Sequence, residues 1–198
     1  VVARIRQQVG AHFPISVKLN AADFQRGGFE LEDSRQCALW LADAGVDLLE
    51  VSGGNFEHLR LLGYRGDAGT AQDPDVVRSE VKAGYFTDYA LAIAKSLESA
   101  GKTMPLMVTG GFRTRQTMER VLALGGVDLV GLARPFCTTP ALARKLLSGD
   151  ESSAELLGPL QTDGGPQRWL MRFKPYRVLR VQGEVAWYAR QLAKLAQG

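Results

Sequence analysis

In PLMVTGGFRT (Pro105–Thr114) a short apolar run ends on Gly110-Gly111, and a threonine suited to open a helix follows. The pattern returns in GVDLVGLARPF (126–136), with Arg134 at the break. Two more such runs stand upstream, ISVKLN (15–20) and DLLEVSGG (47–54). Runs this short, with little polar alternation, suit strands of a parallel sheet covered on both faces.

Between these runs the apolar period changes to that of helices. Over 31–45 acidic residues occupy the first turn and Gly45 is placed to stop the helix. Over 85–101 Phe86, Tyr89, Ile93 and Leu97 fall on one face, and Gly101 closes it. A helix over 114–126 starts at an N-capping Thr114, and one over 139–150 has Thr139 as cap, Pro140 in its first turn and Gly149 at its end. VVARIRQQVG at the start reads as the last turns of another helix. A final helix over 184–197 aligns Val185, Tyr188, Leu192 and Leu195. The order is β-α-β-α-β-α-β-α with right-handed crossovers, an α/β fold of parallel units. We place a domain over 1–150 and a C-terminal helical extension over 151–198.

With 198 residues the chain can bury one substantial core, and 45% hydrophobic with 23% charged residues suits a water-soluble fold. No apolar run reaches the roughly 18 residues a membrane span needs. The amino end lacks a signal peptide's apolar core, and Val rather than Met at position 1 points to a start lying upstream. Cys37 and Cys137 have neither disulfide-framework nor metal-ligand spacing, which fits a reducing, cytoplasmic setting. From Arg168 onward seven Lys or Arg face only Glu184, whereas residues 1–167 carry 17 basic and 20 acidic residues. A basic tail could meet an anionic partner, but long basic side chains covering the helix's own edge are the favoured account, and no nucleic acid is expected.

In parallel β/α folds ligands gather at the carboxyl ends of the strands. Those ends hold Lys18 and Asn20, Ser52-Gly53-Gly54, Gly110-Gly111, and Ala133-Arg134. Bare glycine amides beside a helix start attract phosphate, and a guanidinium one strand over adds a planar, permanently charged fork. Lys18 is placed either to stabilise an electron-rich ring or to pair with a carboxylate on the rim. Ser52 to Gly54 reads as pocket lining. The segment of about thirty residues from Asn55 to Tyr85, with His58, Arg60 and Arg65, has the length of a functional loop. His12 and His58 are the two histidines and cannot make a three-histidine metal site.

Taken in order, SVKLN, GVDLLEVSGG, PLMVTGGFRT and GVDLVGLARPF resemble the carboxyl half of the Old Yellow Enzyme family of FMN-dependent NADH:flavin oxidoreductases, over roughly residues 1–150. The resemblance implies that the four strands are the fifth to eighth of a TIM (β/α)8 barrel. It implies that Lys18 lies near the flavin N1 and O2 atoms, and that Gly110 and Gly111 hold the FMN phosphate. Ala133 and Arg134 match the family's usual Gly-Arg pair, with Ala here replacing Gly. It also implies FMN and NAD(P)H as cofactor and reductant, and a small-molecule substrate with an activated C=C or carbonyl. The family's substrate-gripping His/Asn or His/His pair and its proton-donating tyrosine belong to the first four strands, outside these 198 residues.

A four-stranded half barrel leaves two open edges and an inner face. The other half on this or another chain, pairing of two copies, or an open sheet would each answer this, and the first is the expectation. Two other functions stay in view. One is another phosphate-binding barrel enzyme, such as a dihydrouridine synthase or sugar-phosphate isomerase. The other is a truncated interaction module using the basic tail with Trp169, Trp187 and Tyr188.

Overall fold

A computed structural model describes residues 1–23, 27–53, 86–154 and 174–197. Gly54, the long segment with His58, Arg60 and Arg65, and Trp169 lie outside the described residues. In chain order the elements are α1 (Val2–Val9), β1 (Ser16–Asn20), α2 (Leu31–Asp43), β2 (Leu48–Ser52), α3 (Thr87–Ser99), β3 (Leu106–Thr109), α4 (Arg115–Ala123) and β4 (Leu129–Gly131). A 3-10 turn (Arg134–Cys137), α5 (Leu142–Ser148) and α6 (Lys174–Gln197) follow. The strands form one parallel sheet in the order β1-β2-β3-β4. This is the alternating (β/α) pattern of a fragment of a TIM barrel.

Two compact units divide the chain. The first comprises Val1–Phe112 and Gln116–Gly131, and the second Arg113–Arg115 and Leu132–Gly198. In the first, Leu49, Val51, Leu106 and Val108 point to one face and are fully buried, with Ala38, Ala90, Ile93 and Leu97 of α2 and α3 also out of water. The opposite face carries Lys18, Glu50, Ser52, Met107, Thr109 and Leu129, and Leu129 remains 44% exposed. Among the described residues, cover on both faces, expected from the unbroken apolar runs, is found on one face only.

Two of the three crossovers, from β1 to β2 and from β3 to β4, end on the same residues. Gly45 (φ 76°) ends α2 in the left-handed region, and the Val46 N–H closes back on the Leu41 carbonyl at 3.1 Å. Val46 is buried, and Asp47 Oδ2 accepts from the Ile15 N–H at 2.7 Å across the sheet. In GVDL at 126–129, Val127 is buried in the same way and Asp128 Oδ2 accepts from the Leu106 N–H at 2.9 Å. Pro14-Ile15 and Pro105-Leu106 supply the matching strand starts. Ser16 opposes Leu48 as Met107 opposes Leu129, so the two βαβ units share one register.

Arg6 ties α1 to this arrangement. Its Nη2 donates to Asp47 Oδ2 at 2.5 Å and to the Gly45 carbonyl at 2.9 Å, and its Nη1 to the Phe13 carbonyl. The Ile15 amide and then the Arg6 side chain hold the Asp47 carboxyl below the ordinary carboxylate value.

Two helices depart from the sequence reading. α5 begins at Leu142 rather than Pro140, with Ala141 as cap, although Gly149 ends it at φ 87° as expected. α6 begins at Lys174, ten residues before the expected start at Glu184. Pro175 sits in its first turn, where a missing N–H costs nothing, so polar and apolar residues alike continue the helix. Of the aligned set on α6 only Tyr188 is buried, while Val185, Leu192 and Leu195 are exposed. Among the described residues no helix is long and apolar enough to cross a membrane.

Candidate functional site

At the carboxyl end of the sheet, β1 and β2 finish level, Asn20 opposite Ser52, and the Ser52 carbonyl accepts from the Ala21 N–H at 2.6 Å. Asn20 Nδ2 donates to Asp23 Oδ1 at 3.1 Å, and Asp23 is in turn bonded to Phe29 through its own N–H and through its Oδ2. These bonds tie the residues directly after β1 to Phe29.

Lys18 stands two residue pairs below this rim, on the face opposite the buried layer. Its register partner is Glu50, and Lys18 Nζ meets Glu50 Oε1 at 2.5 Å. The two are unequal in exposure: the lysine side chain is 56% accessible and the glutamate 17%. Of the two roles left open for Lys18, the rim carboxylate is thus present in the structure. Pairing does not use up its hydrogen-bonding capacity, because the ammonium has three donors and one partner among the described residues. Glu50 escaped the sequence reading. Its signal was a single charge within LLEVS, at the alternation that places it beside Lys18.

β3 and β4 end with Thr109 opposite Gly131. A Cβ built on Gly131 would lie 1.9 Å from Thr109 Oγ1, so a larger residue there requires Thr109 to shift. Thr109 Oγ1 is buried and has no hydrogen-bond partner. The hydroxyl can serve as donor or acceptor. Thr109 too was missed, hidden in a run read for its apolar residues.

Directly after Thr109, Gly110 has φ 123° and Gly111 φ 84°. Both angles lie where side chains rarely go, so the Gly pair meets a backbone requirement as well as keeping its amides bare. Next along, Thr114 does immediately precede α4, but it also pairs with Ser153 in an antiparallel bridge. The Arg115 N–H donates to the Ser152 carbonyl at 2.9 Å, and the Ala154 N–H to the Arg113 carbonyl at 2.6 Å. That corrects one expectation: the first amide of α4 is taken by the main chain, leaving the glycine amides as the anion-binding candidates. Gly53 is also corrected. A Cβ there would meet the Phe86 ring at 2.6 Å, so its lack of a side chain admits a core aromatic.

Lys18, Gly110 and Gly111 are thereby brought to one end of one sheet. Ala133 and Arg134 belong to the second unit, where Ala133 is exposed and caps the 3-10 turn that Arg134 opens, three residues past β4. A hollow of ≈ 510 Å³ lined by Leu97, Lys102, Met104 and Asp128 sits at the amino end of β3 and β4, the end opposite Gly110 and Gly111. Among the described residues no group of three or more His, Cys, Asp or Glu is placed to hold a metal.

No protein-family model matches the chain. Among curated proteins it is 30% identical, over all of its own length and 45% of the relative's, to the NADH-dependent flavin oxidoreductase iccE of Talaromyces variabilis. It is 35% identical, over 84% of this chain and 20% of the relative, to the NADH-dependent flavin oxidoreductase iliE of a Neonectria species. It is also 34% identical, over 70% of this chain and 39% of the relative, to an isopentenyl-diphosphate delta-isomerase of a Synechococcus strain. The chain thus spans less than half the length of each of these relatives. Several NADH-dependent flavin oxidoreductases match this chain over most of its length, and on that ground the chain belongs to the Old Yellow Enzyme-like family.

Proposed function

We propose that this chain forms the phosphate end and one flank of an FMN site in an NAD(P)H-dependent oxidoreductase. The observation that carries this reading is the presence of Lys18 and the Gly110-Gly111 turn at the same end of one parallel sheet. The names of the flavin oxidoreductase relatives support it. The residues suit such a group: bare amides at a strand end, a buried hydroxyl lacking a partner, and a cation on the adjoining face.

When bound, the flavin supplies hydride chemistry, accepting from NAD(P)H and passing on to an activated C=C or carbonyl. The chain's own part is electrostatic and positional. Gly110 and Gly111 offer N–H groups to phosphate oxygens, and Arg134 adds a fork that lysine cannot imitate. Lys18 places positive charge where negative charge accumulates on reduction, and Glu50 limits how strongly it does so. The substrate grip and the proton donor are assigned to residues outside this sequence.

Fluorescence titration separates the parts of this proposal. FMN should bind more tightly than riboflavin, and Arg134→Ala should narrow the difference. Equal affinity for the two, or no quenching with either, would overturn the reading. The isomerase relative favours a second reading, a site for a phosphorylated substrate without flavin. Pyrophosphate binding that survives where FMN fails to bind would select it.

A further inference from the structure

The likeness of the two βαβ units extends back into the helices that precede them. Counting back from Pro14 and Pro105 sets Phe13 against Met104, Gly10 against Gly101, and Arg6 against Leu97. Gly10 (φ 86°) and Gly101 (φ 65°) follow the ends of α1 and α3. In each unit the aspartate N–H donates at 2.9 Å to a carbonyl at the strand start, Asp47 to Ile15 and Asp128 to Leu106. Each aspartate Oδ2 accepts from the same residue in return. At the helix position the units part, with arginine in the first and leucine in the second.

Arg6 shows what that position faces. Its guanidinium joins Asp47 Oδ2, the Gly45 carbonyl and the Phe13 carbonyl at once. The second unit keeps all three acceptors, as Asp128, Gly126 and Met104, and these residues line the hollow of ≈ 510 Å³ together with Leu97. Among the described residues no hydrogen-bond donor reaches the Gly126 or Met104 carbonyl, and the Asp128 carboxylate accepts from the Leu106 N–H alone. Glu98 adds a second negative charge to the wall, while the Lys102 ammonium is paired with Asp43 of α2. We propose that this hollow binds a guanidinium group, brought by a small ligand or by an arginine side chain of a partner, in the place that Arg6 holds in the first unit.

Three acceptors so placed suit a planar fork with several N–H donors better than a compact ammonium, which cannot span them. Leu97, 3% exposed, offers an apolar wall for an alkyl stem. The carboxyl end of α3 favours a cation as well. Both sites lie within the first compact unit, and α3 stands in the second βαβ unit as α1 does in the first. The contrast between them therefore comes from a leucine in place of an arginine, and not from the sheet edges. Flavin has no part in it, since Gly110 and Gly111 stand at the other end of the strands.

Amide NMR of the 198-residue chain, titrated with propylguanidine, reads the site. Saturable shifts should centre on Gly101, Met104, Gly126 and Asp128. Butylamine, an ammonium of similar length without the fork, should bind at least about tenfold more weakly. Asp128→Asn keeps an acceptor for the Leu106 N–H and should weaken propylguanidine by at least about tenfold. Leu97→Arg should supply the group from α3 itself and abolish the shifts, and Asp128→Asn covers the case in which that variant misfolds. A blocked Gly-Arg-Gly peptide separates the sources: tighter binding than propylguanidine assigns the site to a partner's arginine, and no gain assigns it to a small ligand. Shifts that fail to saturate, equal affinity for butylamine, or unchanged affinity in Asp128→Asn would each overturn the proposal.

Discussion

Gly131 and Thr109 show how closely two residues at a strand end depend on each other. Adding a methyl at Gly131 forces it into Thr109 Oγ1, 1.9 Å away. Gly131→Ala should therefore cost about 1–3 kcal/mol, the range for overpacking a filled site. Thr109→Ala removes the obstacle together with a buried hydroxyl that lacks a partner, so it should be close to neutral alone and should rescue Gly131→Ala. Denaturant midpoints of the single and double variants measure this coupling, and additive losses would contradict it. Lys18 and Glu50 invite an opposed pair of changes. In the flavin-loaded protein Lys18→Met should lower the reduction potential by roughly 30–60 mV, about 1.4–3 kcal/mol for a two-electron couple. Glu50→Gln should raise it, because the ammonium loses its counter-charge. Dye-coupled photoreduction reads both, and shifts of the same sign would remove Lys18 from its proposed role.

The junction of α1, β1 and β2 rests on a single carboxylate. Asp47 accepts from the Ile15 amide and from Arg6, and both lower its pKa from the ordinary value. A carboxyl depressed in the folded state stabilises the fold at pH above its unfolded value, and that contribution is lost as pH falls through the folded value. Thermal melts from neutral to acid pH should show a steeper fall for the natural protein than for Asp47→Asn, with the curves converging in acid. Exposure of the Asp47 side chain, 46%, makes salt part of the test, since added salt should narrow the gap. At this scale the sequence was informative about existence and order of elements, and less so about their ends. Gly45, Gly101 and Gly149 stop helices because each needs a positive φ. α6 starts ten residues before its expected start because the helix runs through Gly183, a single glycine costing about 1 kcal/mol that a long helix can absorb.

For the molecule as a whole, the unequal faces separate residues that hold the fold from those that await a partner. Leu49→Ala, in the fully buried layer, should destabilise by about 2–5 kcal/mol. Leu192→Lys, on the exposed stripe of α6, should change stability by less than about 0.5 kcal/mol. Chemical denaturation of the two variants tests the contrast, and a large loss for Leu192→Lys would mean that the stripe is covered in solution. Much of this organisation was legible in the residues themselves. The four apolar runs, the glycine stops and the GVDL repeat fix strand order, crossover sense and the rim where chemistry collects, because backbone conformation and apolar period are properties of short stretches. Glu50 beside Lys18, Thr109 against Gly131, Phe86 in the space left by Gly53, and Ser152 on the Arg115 amide were decided only in three dimensions. Each joins residues far apart along the chain, and which of them meet depends on sheet register and on packing between elements, which no local pattern encodes.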